Sequence, residues 1–156
     1  YEPDVMEAFR GDHRYFMIGI SNNYHQLDQV REGVRKPDER EAFLLEQEKR
    51  ECEIFGRLAD LGMRPLVGTD AGCGYTFFDE TWLEMELLCR RCGLTPEKAI
   101  HAATLEGAGA LGWGDFLGRL APGYEADFIA AEQNPLRDIK ALRHIKHVVC
   151  RGKIIE

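Results

Sequence analysis

Apolar positions fall along this chain in blocks whose spacing changes from element to element. The nearly unbroken run Tyr15-Phe16-Met17-Ile18-Gly19-Ile20, bounded by polar residues, predicts a strand covered on both faces. A shorter run, Pro65-Leu66-Val67, predicts a second buried strand just before Thr69. Between them, after a polar loop over residues 21–36, Pro37-Asp38 opens a highly charged segment in which Leu45, Cys52, Phe55 and Ala59 recur at helical spacing. This is the pattern of an amphipathic helix, stopped by Gly62. A short helix is predicted over residues 4–9 and a longer one over about 79–92, ended by Gly93. A further helix runs from residue 96 to about 111, with Thr95 as its cap and Pro96 as its first residue. Beyond Trp113 the character changes, and Gly114, Gly118, Pro122 and Gly123 punctuate a loop. Short apolar runs at 128–130, 148–150 and 154–155 then read as strands, with Arg151-Gly152 as a tight turn between the last two.

The order strand, helix, strand, helix, helix defines an α/β chain whose simplest topology is a parallel pair joined by a helix. Two parallel strands with open edges are not a stable unit, so more strands must come from a longer sequence or from another chain. The 156 residues, 44% of them hydrophobic, suffice for one core. They are too few for a complete eight-stranded α/β barrel, which takes roughly 250 residues. A formal charge of −7 argues against nucleic acid or an anionic membrane as partner. No apolar run approaches the roughly 18 residues of a membrane span, and residues 1–4 lack the basic and apolar regions of a signal peptide. Five cysteines, at positions 52, 73, 89, 92 and 150, form an odd set without regular spacing, which points to a reducing compartment and to the cytoplasm. Cys89 and Cys92 make a C-x-x-C within a helical pattern, with no second pair to complete a zinc site, and packing is the reading for both.

The candidate chemistry lies in Gly68-Thr69-Asp70-Ala71-Gly72, where a carboxylate follows a strand directly and enters a glycine-rich loop. The carboxyl ends of parallel strands line the binding sites of α/β folds. Asp is a hard oxygen ligand for a metal with a second oxygen able to carry a proton. As a bare loop residue it serves equally as a turn former. Gly72 and Gly74 permit backbone to approach a ligand, and Tyr75, Thr76, Phe77 and Phe78 can shape a pocket. Tyr24, on the loop after the first strand, can reach the same mouth, although packing under a loop is the commoner role for such aromatic residues. There is no His-x-His. His144 and His147 read as exposed, and His101 as packed or exposed on a helix. His25 lies nearest the expected mouth, and His13 precedes the first strand.

Three motifs in this order resemble the carboxyl-terminal portion of a metal-dependent amidohydrolase, in the branch of imidazolonepropionase-like and Xaa-Pro dipeptidase-like enzymes. They are Gly68-Thr69-Asp70-Ala71-Gly72; Gly93-Leu94-Thr95-Pro96-Glu97-Lys98-Ala99-Ile100 with Ala102-Ala103-Thr104; and Leu117-Gly118-Arg119-Leu120-Ala121-Pro122-Gly123 continuing through Ala126-Asp127-Phe128. The resemblance implies a partial (β/α)8 barrel, its last two strands and helices, over residues 1–113, and strands of a small terminal β-sandwich over 114–156. It implies one or two divalent metals, usually zinc, in the complete parent, with Asp70 as metal ligand and proton shuttle. The substrate would be a small amide or dipeptide-like molecule, contacted by Gly72, Tyr75 and Tyr24. Asp115 and Asp127 match family positions and carry structural roles. The expectation is therefore an incomplete piece, inactive alone, which awaits missing barrel strands or pairs as a homo-oligomer. The alternative is a non-catalytic binding module that keeps the scaffold without the metal site.

Overall fold

A computed structural model describes residues 3–10, 14–22, 24–73 and 76–155. After α1 (Pro3–Glu7), β1 (Tyr15–Met17) pairs in parallel with β2 (Arg64–Leu66), with Phe16 opposite Pro65. A 3-10 turn (His25–Leu27) and the short α2 (Asp28–Arg31) lead to α3 (Glu39–Asp60), the crossover helix between the two strands. Its entry is a capping box: Asp38 accepts from the Glu41 amide, and the Glu41 carboxylate accepts from the Asp38 amide. Gly62 stands at φ 81° just past its end, a conformation that glycine adopts without strain.

The amphipathic face of α3 differs in detail from the one the spacing predicts. Ile54, Phe55 and Glu48 are its buried residues, whereas Ala59 is exposed. Glu48 is buried because it forms ion pairs with Arg31 of α2 and with Arg91 of α4 (Thr81–Cys92). A buried carboxylate of this kind is tolerated only when its charge is matched.

α4 is the centre of the molecule. All six residues from Leu83 to Leu88 are buried, so the helix is covered on every side rather than along one stripe. Leu83, Met85, Leu87 and Leu88 form one core with Phe16, Ile20, Phe55, Met63, Leu94, Ala99 and Ile139. The Phe16 and Phe55 rings meet edge to face at 5.0 Å, fixing α3 against β1. Gly93, at φ 75°, ends α4.

The helix predicted from residue 96 to about 111 is two helices, α5 (Pro96–Ala103) and α6 (Leu105–Ala110). The break falls at Thr104, whose backbone leaves the helical region (φ −123°, ψ −83°). Its hydroxyl donates to the Ile100 carbonyl at 2.7 Å, a back-bond that competes with the backbone ladder. Thr95 caps α5 from its side chain, as its position before Pro96 predicts. Gly118, at φ 91°, lies under this break, where an added Cβ would come within 2.8 Å of the Thr104 carbonyl.

The tail forms an antiparallel sheet of β3 (Phe128–Ala131), β4 (Ile145–Cys150) and β5 (Lys153–Ile154). Arg151 and Gly152, at φ 49° and 73°, make the turn between the last two, with both residues in the left-handed region that a two-residue type I′ hairpin needs. Asp127 serves this turn by accepting from the Arg151 amide at 2.6 Å. A 3-10 turn (Ile139–Arg143) brings Ile139 and Ala141 from the tail down onto α4.

The strand expected over residues 15–20 is shorter and is not covered on both faces, since Met17 is 57% exposed. Only β2 pairs with β1 among the described residues, so the covering layer that a continuous apolar run anticipates is supplied on one side only. No described helix is long and apolar enough to cross a membrane.

Candidate functional site

The loops that leave β1 and β2 lie side by side. A Cβ on Gly19, after β1, would sit 3.2 Å from the Gly68 carbonyl, after β2, so the two exits approach at backbone distance. Two residues beyond Gly68, Asp70 adopts φ 55°, the left-handed region that Asp and Asn enter more readily than other side chains. The turn is held by its own short-range bonds. Thr69 Oγ1 accepts from the Ala71 amide at 3.2 Å, the Cys73 amide donates to the Asp70 carbonyl at 3.3 Å, and the Gly72 amide donates to the Thr76 carbonyl at 3.2 Å.

The Asp70 side chain is exposed, and its Oδ2 accepts from the Cys73 thiol at 3.3 Å. That hydrogen bond, with the carboxylate charge behind it, pushes the Cys73 thiol above its ordinary range and keeps it a donor. Gly72, at φ 101°, has its α-carbon facing the Phe78 ring, where a Cβ would approach to 3.3 Å. Phe77 and Phe78 are 51% and 81% exposed, so packing beneath the loop does not describe them. The loop has no covering layer among the described residues that would draw these rings inward. Gly74 and Tyr75, the latter an expected substrate contact, lie outside the described residues, as does His13.

The loop after β1 is anchored from below by a residue that the sequence pattern did not single out. Glu84 of α4 is fully buried, with its carboxylate accepting from the Ile20 amide at 3.0 and 3.2 Å and from the Ser21 amide at 2.8 Å. Burial raises its pKa, and the hydrogen bonds from Ile20 and Ser21 pull in the opposite direction.

A second link joins the two loops at His25. Its Nε2 meets a Glu80 carboxylate oxygen at 2.7 Å and its Nδ1 meets Asp28 at 3.3 Å, while its ring lies edge-on to Tyr24 and to Phe77. Burial opposes the charged imidazolium, but the two carboxylates outweigh it and the pKa is raised above its ordinary 6.5. Because the folded pKa lies above the unfolded one, this link stabilises the mouth fully below pH 6.5 and fades as pH rises through the folded value. The His25 ring followed by NMR is expected to titrate above 6.5, and Glu80→Gln to bring it down. An unchanged titration in that variant would show that Glu80 does not hold the charge.

Tyr24 and His25 open onto a cleft of about 550 Å³ whose other walls include Glu80, Trp82, Arg90 and Arg143. Asp70 and Gly72 do not line it, so the structure sets Tyr24 with His25 on one side and Asp70 with Gly72 on the loop after β2. The Tyr24 ring lies beneath the Arg31 guanidinium at 4.7 Å. His101, His144 and His147 are exposed, and none of them meets Asp70.

A bound divalent metal needs three or four converging ligands. Among the described residues no group of three or more His, Cys, Asp or Glu side chains is arranged to hold a cation. Among the described residues, the side-chain donor to the Asp70 carboxylate is the Cys73 thiol, and that thiol is held protonated. The residues present therefore do not fit a metal unaided.

A parallel pair with an acidic loop at the carboxyl end of its second strand, followed by paired helices and a terminal antiparallel sheet, agrees with the relatives that the chain matches. A sequence model of the amidohydrolase family matches residues 30–155, and the chain belongs to that family. It is 43% identical over 83 residues to imidazolonepropionase from Deinococcus deserti, covering 53% of this chain and 21% of that one. It is 39% identical over 99 residues to ochratoxinase from Aspergillus niger, covering 61% and 20%. The crystal structure of A. niger ochratoxinase superposes on 99% of this chain and 35% of its own, with 27% identity and a TM-score of 0.75. A Xaa-Pro dipeptidase structure superposes on 99% of this chain and 37% of its own, with 25% identity and a TM-score of 0.79. The chain thus spans well under half the length of each of these relatives.

Proposed function

We propose that the chain is the carboxyl-terminal part of a metal-dependent amidohydrolase that hydrolyses a C–N bond in a small amide, peptide-like or cyclic amide substrate. The observation that carries this reading is the placement of Asp70, exposed at the carboxyl end of a parallel strand, inside a family match that spans residues 30–155. In this reading residues 1–113 belong to a barrel and 114–156 to a small β-sandwich, and the remaining barrel strands lie outside this chain.

Asp70 is assigned as one oxygen ligand of a divalent metal, zinc being the expected ion, whose other ligands come from outside the chain. Its own chemistry concerns the proton. An ionised carboxylate beside an attacking water accepts that water's proton, and the resulting acid delivers it to the departing nitrogen. The exposed setting of Asp70 suits this two-way traffic, because a substrate can approach it without displacing packed side chains. Gly72, Tyr75 and Tyr24 are assigned to substrate contact. Imidazolonepropionase and Xaa-Pro dipeptidase, named among the relatives, place cyclic amides and dipeptides first among the substrate classes to try.

The test is hydrolysis of a panel of N-acyl amino acids, dipeptides and cyclic amides by the 156 residues alone and by the longer protein that supplies the missing strands. Turnover of at least one substrate by the longer protein, and none by the isolated residues, is the expected result. Turnover by the isolated residues would mean that they carry a sufficient site of their own. A longer protein that leaves the whole panel intact would remove the proposed reaction.

A further inference from the structure

The cleft that Tyr24 and His25 face is walled on its far side by α4 and the tail. Trp82, Leu83 and Arg90 come from the helix, and Lys140, Ala141 and Arg143 come from the 3-10 turn packed against it. At about 550 Å³ it is the size of a small-molecule site. Residues three apart eclipse one another in a 3-10 turn, so Lys140 and Arg143 stand on one side of theirs. The carboxylates nearby are already engaged. Glu80 pairs with His25 at 2.7 Å. Glu86, buried on α4, lies 3.0 Å from Arg90 and 3.9 Å from Lys140, so one carboxylate serves two cations. Asp138 caps the 3-10 turn, accepting from the Lys140 amide at 3.0 Å. Arg143 has no such partner: its guanidinium lies 5.3 Å from the centre of the Trp82 ring, and among the described residues no carboxylate pairs with it.

We propose that this cleft binds a small organic carboxylate, with its oxygens on Arg143 beside Lys140 and its apolar body against Trp82, Leu83 and Ala141. Attraction to a ring satisfies no ion pair, so the guanidinium of Arg143 keeps N–H donors able to take a carboxylate in two parallel bonds. Lys140 adds a charge only partly matched, since Arg90 lies closer to the carboxylate they share. Below these cations the walls are apolar, with Trp82 half-buried and Leu83 and Ala141 buried. The two halves of the cleft together set the ligand class. A neutral amide of the same shape would cover the apolar wall but leave Arg143 unmatched, and an inorganic oxyanion would match the charge but cover nothing. Asp70 and Gly72 are not among the lining residues, so the inference stands apart from the reaction proposed for Asp70.

The experiment titrates the full-length protein, labelled with nitrogen-15 at tryptophan and histidine, with benzoate, benzamide and inorganic phosphate in turn. Calorimetry gives the affinities, and the indole and imidazole signals give the place of binding. The expected result is saturable binding of benzoate that shifts Trp82 and His144, with benzamide and phosphate each weaker by about tenfold or more. Arg143→Gln should weaken benzoate by a similar factor. Lys146→Gln, which removes an exposed cation of β4 outside the cleft, should leave it unchanged. Failure of benzoate to bind, equal binding of benzamide or phosphate, or saturation that leaves the Trp82 signal unmoved would overturn the inference. The signals of the unaltered protein decide the place of binding even if a variant fails to fold. Turnover is not among the readouts, so failure of the proposed hydrolysis and failure of this site are told apart.

Discussion

Asp70→Asn in the longer protein proposed above is expected to lower kcat by about 10²–10⁴-fold, the range typical of removing a positioned acid–base group, with KM changed far less. Asn is the replacement that disturbs the backbone and the packing least. It keeps the shape of the side chain and tolerates the left-handed backbone that Asp70 occupies at φ 55°, where a β-branched residue would add strain of its own. It also retains an oxygen to accept from the Cys73 thiol, so the local turn survives. What it loses is the carboxylate, and with it both the proposed metal ligation and the proposed proton transfer. Turnover measured together with thermal unfolding separates the outcomes. An unchanged melting temperature with collapsed kcat supports the assignment, whereas near-normal kcat would return Asp70 to the role of a turn former. Substitution of Cys73 by Ser gives a useful contrast, because it preserves a donor to Asp70 and should leave kcat within a few-fold.

Glu84→Ala is expected to destabilise the protein by about 3–5 kcal/mol. The carboxylate is fully buried and holds the Ile20 and Ser21 amides, and removing it leaves both N–H groups without their acceptor at a cost of about 1–3 kcal/mol each, with a cavity in addition. Glu84→Gln is expected to fall between wild type and Ala. It fills the same space and keeps one acceptor oxygen, but turns an amide N–H toward the second donor. A chemical denaturation series on the three proteins checks the order, and equal midpoints for wild type and Ala would mean that the loop after β1 is satisfied in some other way. The expected functional consequence is indirect. With its anchor gone the loop that carries Tyr24 and His25 loses its fixed relation to β1, and their contacts to Arg31, Glu80 and Phe77 weaken with it.

The features that could be read in advance are those whose cause is local. Pro37 with Asp38, Gly62, Gly93, Thr95 with Pro96, and Arg151 with Gly152 each mark an element boundary because the backbone needs a particular donor, acceptor or dihedral within a few residues of that point. Asp70 stood out for a similar reason, as an acid that directly follows an apolar run. Glu84 and Glu48 were hidden because a glutamate on a helix ordinarily marks the wetted side. Their partners, Ile20 and Ser21 for one and Arg31 and Arg91 for the other, belong to different elements. The His25–Glu80 contact spans fifty-five positions, and only its Asp28 half carries a local signal, at a spacing of three. The break at Thr104 was missed because a threonine is compatible with a helix until its hydroxyl takes the carbonyl behind it.

The brevity of β1 and β2 bears on how the chain behaves in solution. Each is three residues long, and each has one edge without a strand beside it among the described residues. Bare edges are templates on which further strands can add, whether these are the strands of an intended neighbour or those of a stray copy. An edge of three residues can form only a few such bonds, so a chance encounter is weakly held. A cognate segment gains much more, because it also covers Met17 and the other apolar surface left open beside the sheet. The short strands thus bias the chain against clumping with itself while leaving its open edges receptive to a segment that covers the neighbouring apolar surface.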